Sequence, residues 1–198
     1  MEIRRDLYLS KLKNRRGNGL VKVITGIRRC GKSYLLNTIF YHDLLQGGVP
    51  EDHIIRFAFD SADDLLLIGE SPIALEKANR KVDPEKFMRY ISSRMTDSDT
   101  YYLLLDEVQL LDCFESVLNG YLRKPNMDVY VTGSNAKFLS KDIITEFAGR
   151  GDEIRMCPSA SPSSCRSTVG TSTKGFPNIC CTAGFRLWFC GRMRAIKR

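Results

Sequence analysis

Apolar residues in this chain gather into short continuous runs, and between the runs they recur at helical spacing. The runs are Leu20-Val21-Lys22-Val23-Ile24-Thr25, His53 to Asp60, Tyr101-Tyr102-Leu103-Leu104-Leu105, Asp128-Val129-Tyr130-Val131-Thr132 and Asp152 to Met156. Each reads as a strand. The third is apolar throughout, the pattern of a strand covered on both faces. Between them, helical spacing places Leu35, Leu36, Ile39, Phe40 and Leu44 on one face, and Phe87, Ile91 and Met95 on another. A third helix carries Phe114, Val117, Leu118, Tyr121 and Leu122, and a fourth lies around Leu139 to Phe147.

Punctuation supports these elements. Gly47-Gly48-Val49-Pro50 ends the first helix, and Asp83-Pro84 supplies an N-cap followed by proline at N1 for the second. Pro125-Asn126 and Gly149-Arg150-Gly151 end the other two. Residues 2–13 read as a short helix with Ile3, Leu7, Tyr8 and Leu12 on one side. The segment from Ser61 to Val82 reads as irregular, with one amphipathic piece around Leu65 to Ile68. Strands alternating with helices predict an α/β domain: a five-stranded parallel sheet between two helical layers.

One connection is chemically specific. Gly26-Ile27-Arg28-Arg29-Cys30-Gly31-Lys32-Ser33 follows the first strand, and the helix beginning at Tyr34 follows it. That is the strand–loop–helix setting a G-x-x-x-x-G-K-[ST] phosphate loop requires. Gly26 and Gly31 let successive N–H groups converge on one anion, and the helix N-terminus adds further donors. Main-chain contacts from Gly26 to Tyr34 would hold the phosphates. Lys32 would place a point charge on the β- and γ-phosphates, and the Ser33 hydroxyl would bind Mg²⁺.

Ligands of open parallel sheets lie beyond the carboxyl ends of the strands. Asp106-Glu107 ends the third strand. Asp106 suits Mg²⁺, and Glu107 suits the base that polarises an attacking water. Ser134-Asn135 follows the fourth strand, and Asn135 is placed to hold that water, with Ser134 as the alternate. Arg150 is a candidate for stabilising transition-state charge, in cis or from a neighbour, and equally for satisfying a helix C-terminus. Of Arg28 and Arg29, one faces phosphate and the other pairs with surface carboxylates. A glutamate aimed at water favours hydrolysis of a nucleoside triphosphate. The competing functions are a nucleotide switch that does not hydrolyse, a P-loop kinase for a small acceptor, and a DNA-associated ATPase.

Composition narrows the partners. Hydrophobic residues make up 43% of the 198 and charged residues 27%, which is globular usage. No apolar run approaches the roughly 20 residues of a membrane helix, and the first residues lack a signal-peptide core. A cytoplasmic protein is expected. The net charge of +7 points to nucleic acid only superficially. Seven of the 30 basic residues lie at 158–198, where there are no acids, so residues 1–157 keep 23 basic residues against 23 acidic ones. Seven cysteines without secretory context argue against a disulfide framework. The basic flank of residues 2–13, with Arg4, Arg5, Lys11 and Lys13, reads either as a solvated face or as a cover for an adenine ring.

Together these stretches resemble a bacterial and archaeal family of AAA-like P-loop ATPases, in which the ATPase domain precedes a C-terminal domain of poorly known function. The matching residues are Val23 to Ser33, Leu103-Leu104-Leu105-Asp106-Glu107-Val108-Gln109, Tyr130-Val131-Thr132-Gly133-Ser134-Asn135 and Ala148-Gly149-Arg150. The resemblance covers residues 1–157. It implies strand order 5-1-4-3-2, ATP rather than GTP, and a partner in the form of further copies or a C-terminal domain.

Residues 158–198 depart from the family pattern. Hydrophobic periodicity stops, acids vanish, and Ser, Thr, Cys and Arg rise. The family continues with a Leu-Ser-Phe-Ser-Glu-Phe-like segment and later a Tyr-Gly-Gly-Leu-Pro-like one. Back-translating this tail with permitted codons, one base out of register from near Pro158, yields both segments in an acid-containing amphipathic sequence. A shifted reading frame is therefore expected. The alternative is a disordered basic tail that binds nucleic acid, but Phe185, Trp188 and Phe189 are unusual for disorder.

Overall fold

The computed structural model describes residues 5–133 and 149–156. Five strands form one sheet: β1 (Val21–Gly26), β2 (Ile54–Ala58), β3 (Tyr101–Asp106), β4 (Met127–Thr132) and β5 (Gly151–Met156). Their spatial order is β2-β3-β4-β1-β5, and every pairing is parallel. This is the expected order read from the opposite edge. One strand, β4, separates the phosphate-loop strand β1 from β3.

The pleat sorts side chains onto two cores, because successive residues of a strand face opposite sides. Val21, Val23, Tyr101, Leu103, Leu105, Val129 and Val131 face one layer. That layer contains α4 (Ala62–Leu67), α5 (Pro72–Ala78), α6 (Pro84–Arg94) and α7 (Phe114–Tyr121). Phe87, Ile91, Val117 and Leu118 fill it. Ile24, Leu104, Tyr130 and Ile154 face the other layer, against Leu12 of α1 (Asp6–Lys13) and Leu35, Leu36, Phe40 and Leu44.

Three features differ from the sequence expectation. Residues 61–82 are not irregular; they hold α4 and α5. Ser61 caps α4 by accepting Asp64 N–H at 3.4 Å, and Ser71 caps α5 by accepting Ala74 N–H at 3.4 Å, with Pro72 in the first turn. Leu7 does not join the buried side of α1. It is 65% exposed, whereas Leu12 is fully buried. The helix after the phosphate loop is not uniform. It runs as α2 (Lys32–Tyr34), a π-helical segment Leu35–Phe40, and α3 (Tyr41–Gln46).

At the amino ends of the strands, Lys22 of β1 is fully buried and ion-paired with Asp128 of β4. Asp128 also accepts the Gly17 N–H at 3.0 Å and the Tyr130 hydroxyl at 2.9 Å. The carboxylate is thus saturated with donors, the condition under which a buried pair is tolerated. It fastens the turn before β1 to the bottom of the sheet.

Candidate functional site

The loop between β1 and α2 has the backbone its glycines predict. Gly26 has φ +152°, and a Cβ there would stand 2.7 Å from the Met156 carbonyl and 2.8 Å from Cys30 Sγ. Gly31 has φ +85°. Arg29 also sits in the left-handed region, at φ +63°. Ile27, Arg28 and Arg29 are exposed at the crest, and Cys30 is buried beneath it. Ser33 and Tyr34 are exposed at the start of the helix.

Lys32 is buried, and its ammonium donates to the carbonyls of Gly26 and Ile27, at 3.2 Å each. Among the described residues no carboxylate pairs with it. The charge is therefore held at the loop by neutral acceptors only, leaving its Coulombic demand for an anion unmet.

Across the sheet, Asp106 is buried at the end of β3 and accepts the hydroxyl of Thr132 from the end of β4. Glu107 follows in the left-handed region at φ +52°, a conformation uncommon for a non-glycine residue. Its N–H donates to the same Thr132 oxygen at 3.2 Å, and its carboxylate accepts Gln109 Nε2. The second oxygen of Asp106 accepts Asn37 Nδ2 at 3.4 Å. Asn37 lies one turn beyond Ser33, so this bond sets the Asp106 carboxylate against the helix that begins with Lys32 and Ser33. Strand ends two positions apart in the sheet thereby converge. The Asn37 Oδ1 is buried without a partner.

Asp60 adds a further acid. Burial, and then the charges of Asp106, Glu107 and Asp64, hold its carboxyl above the ordinary aspartate value. Asp60 thus lies within electrostatic reach of the acids at the end of β3.

Arg5, at the N-cap of α1, lies over the phosphate loop. A Cβ on Gly31 would fall 2.6 Å from its guanidinium. Its Nε is buried without a partner, and its Nη1 makes a weak bond to Met156 Sδ at 3.9 Å. A buried guanidinium nitrogen without an acceptor is poorly compensated.

Arg150 is elsewhere. Its carbonyl accepts Val21 N–H at 2.9 Å at the amino end of β1, whereas Gly26 pairs with Met156 at the carboxyl end. The length of β1 separates the two, about 17 Å at roughly 3.3 Å per residue. That exceeds the reach of an arginine side chain, so the expected role in cis is corrected. The expected Ser134 and Asn135, and residues 158–198, lie outside the described residues.

A family model described as AAA domain matches residues 18–161, well over half of the chain.

The chain belongs to the AAA domain family.

Two curated relatives match the same region. One is an uncharacterized protein of Haemophilus influenzae, 32% identical over 158 residues, covering 79% of this chain and 36% of the relative. The other is an uncharacterized protein of Methanocaldococcus jannaschii, 28% identical over 160 residues, covering 79% and 29%. The chain therefore spans about a third of the relatives' length. Among solved structures, a Walker-type ATPase of Pyrococcus abyssi aligns with TM-score 0.49 at 20% identity, covering 78% of this chain and 53% of that one. A chain of a Drosophila ORC complex aligns with TM-score 0.47 at 11% identity, covering 77% and 54%. Scores under 0.5 carry no functional argument.

For this AAA domain, sequence reasoning named the loop and the two acids but not Thr132, Asn37 or Asp60 beside them, and it placed Arg5 only within a basic flank. Thr132 and Asp60 stood at strand ends, a signal that was available. Nothing local in the sequence marks Asn37.

Proposed function

We propose that this AAA domain binds ATP with Mg²⁺ and hydrolyses it. The single observation that carries the reading is the Asn37–Asp106 hydrogen bond at 3.4 Å, because it brings the acid pair to the helix that follows the phosphate loop. Main-chain N–H groups from Gly26 to Tyr34 cradle the phosphates, and the Lys32 ammonium exchanges its carbonyl acceptors for phosphate oxygens. The gain is charge on charge, roughly twice a neutral hydrogen bond.

The exposed Ser33 hydroxyl and the Asp106 carboxylate are oxygen donors of the kind Mg²⁺ takes. Bound there, the ion would neutralise charge on the β- and γ-oxygens. Thr132 keeps Asp106 oriented. Glu107 accepts a proton from the attacking water, and Asn135 holds that water. Arg150 serves a neighbouring copy in an oligomer. ATP over GTP, and a partner in the form of further copies or a C-terminal domain, follow the family resemblance. Among the described residues no helix is long and apolar enough to cross a membrane.

The Gln109–Glu107 bond favours a second reading, a nucleotide switch in which the glutamate is withheld from water. The test is nucleotide affinity and phosphate release for Lys32→Ala and Glu107→Gln. Hydrolysis requires lost affinity in the first, and in the second retained affinity with turnover reduced about 10²–10⁴-fold, the range of a lost general base. Nucleotide binding with no phosphate release above background in either the parent chain or Glu107→Gln would leave only the switch.

A further inference from the structure

The phosphate loop has two flanks, and the sheet order gives them opposite chemistry. On one side of β1 lie β4 and then β3, whose last residues are Thr132 and Asp106. On the other side lies β5, whose last residue, Met156, pairs with Gly26. Arg5 belongs to this second flank. Its Nη1 meets Met156 Sδ at 3.9 Å, and its guanidinium lies against the α-carbon of Gly31.

Gly31 makes room for that guanidinium. The three atoms nearest to a Cβ placed at Gly31 all belong to Arg5: Nη2 at 2.6 Å, Cζ at 3.0 Å and Nη1 at 3.2 Å. A side chain at position 31 would push the arginine off the loop, besides straining a left-handed backbone. The second glycine of the loop thus serves Arg5 as well as the turn.

The rest of this corner does not account for the arginine. Among the described residues no carboxylate pairs with it, and its Nε is buried without a partner. Nor does it anchor α1, which is fastened at its other end. There Leu12 is fully buried, Lys13 pairs with Asp43 at 2.8 Å, and Arg15 just beyond pairs with Asp152 at 2.7 Å. A positive charge is therefore held over the phosphate loop without an anion of the protein to meet it.

A triphosphate in this site has a direction. Its γ-end faces the acids that handle metal and water, at the ends of β3 and β4. Its nucleoside end then runs toward β5, the flank of Arg5. A guanidinium offers a fixed fork of donors that suits phosphate oxygens.

Resting on the reading of this region as a nucleotide site, we propose that Arg5 binds the phosphate next to the nucleoside, the α-phosphate of ATP and equally of ADP. It is a positioning residue and does not sense the γ-phosphate. Its contribution is the same before and after hydrolysis, so it sets how firmly either nucleotide is held and not which of the two is preferred.

The test is a cycle between protein and ligand, which isolates one pairwise contact. Isothermal titration with Mg²⁺ compares the full chain with Arg5→Ala and Arg5→Lys. The ligands are ATP, ADP, and ADP carrying sulfur for one non-bridging oxygen on the α- or the β-phosphate. Arg5→Ala should weaken ATP and ADP by the same factor, about 10, as expected for one lost bond to a charged group. The penalty for α-sulfur seen in the parent chain should shrink in Arg5→Ala, while the β-sulfur penalty stays. Any preference of Mg²⁺ for oxygen enters both chains alike and cancels. Arg5→Lys keeps the charge without the fork and should fall between the two, and thermal melting checks that both variants are folded. A loss confined to ATP, no loss at all, or an equal loss for every ligand with the α-sulfur penalty unchanged would each overturn the proposal. The last is what mere loosening of α1 would give. A parent chain that binds neither ATP nor ADP would bring down the nucleotide reading itself, whereas normal binding by both parent and Arg5→Ala would sink this inference alone.

Discussion

Thr132 holds both acids of the site through one oxygen, donating its hydroxyl to the Asp106 carboxylate and accepting the Glu107 N–H at 3.2 Å. The threonine is fully buried, so neither bond has water to replace it. It joins the end of β4 to the end of β3 at the point where the chain leaves the sheet.

Thr132→Val keeps the shape and removes the oxygen. It leaves one oxygen of the buried Asp106 carboxylate without its donor, which costs about 1–3 kcal/mol. Urea unfolding should show that loss. Thr132→Ser should recover most of it, because the serine hydroxyl can occupy the same place.

Arg5→Ala should weaken ATP binding about 10-fold while leaving the melting temperature within a few degrees. The guanidinium faces Gly31 with a buried, unpartnered Nε, so its removal relieves the free chain and penalises the complex. Isothermal titration at two salt concentrations checks it. A charge contact loses weight as salt rises, so the gap between Arg5→Ala and the parent chain should narrow.

Gln109→Ala should raise phosphate release, because the Glu107 carboxylate is then no longer held by the amide. A steady-state assay with Mg²⁺ reads it. Unchanged or reduced turnover would mean that Gln109 orients the glutamate rather than restraining it.

Asp60 supplies a pH prediction. Its folded-state carboxyl lies above the ordinary 3.8, through burial and the charges of Asp106, Glu107 and Asp64. The folded chain therefore binds this proton more tightly than the unfolded chain. The resulting stability is complete below the unfolded value and is lost as pH rises through the folded one. Asp60→Asn should accordingly raise the melting temperature at pH 7, and the gain should shrink toward pH 4. Mg²⁺ should also narrow it at pH 7, by screening the ionised carboxylate.

We propose that residues 158–198 are read out of frame, and the gene itself tests this. Nucleotides in the shifted frame should encode the two family segments without an early stop. A version with the frame restored should be more soluble, since Phe185, Trp188 and Phe189 would no longer stand in an acid-free tail. Stops in that frame would end the idea.

The strands were legible because a parallel sheet buried on both faces writes itself as apolar runs, as in Tyr101 to Leu105. Their order was not in those runs; it came from the family resemblance. The helices α4 and α5 were missed although Ser61 and Ser71-Pro72 announced their starts, because each segment is short and carries few buried residues. For Arg150 the sequence left roles in cis, in trans and at a helix end open, and its place in the fold bears on the first alone. A residue immediately before a parallel strand stands at its amino end, the far side of the sheet from the phosphate loop. Asn37 could not be found at all, because its significance is a contact with a residue 69 positions away.

The wide winding of Leu35–Phe40 carries a consequence for evolution. A π-helical turn is what remains when one residue is inserted into an α-helix and the rest of the helix keeps its phase. Cousins of this protein should therefore tolerate a single-residue gap in that stretch while Lys32 before it and Leu44 after it stay aligned. The position best placed to vary is whichever of these six does not have to reach Asp106.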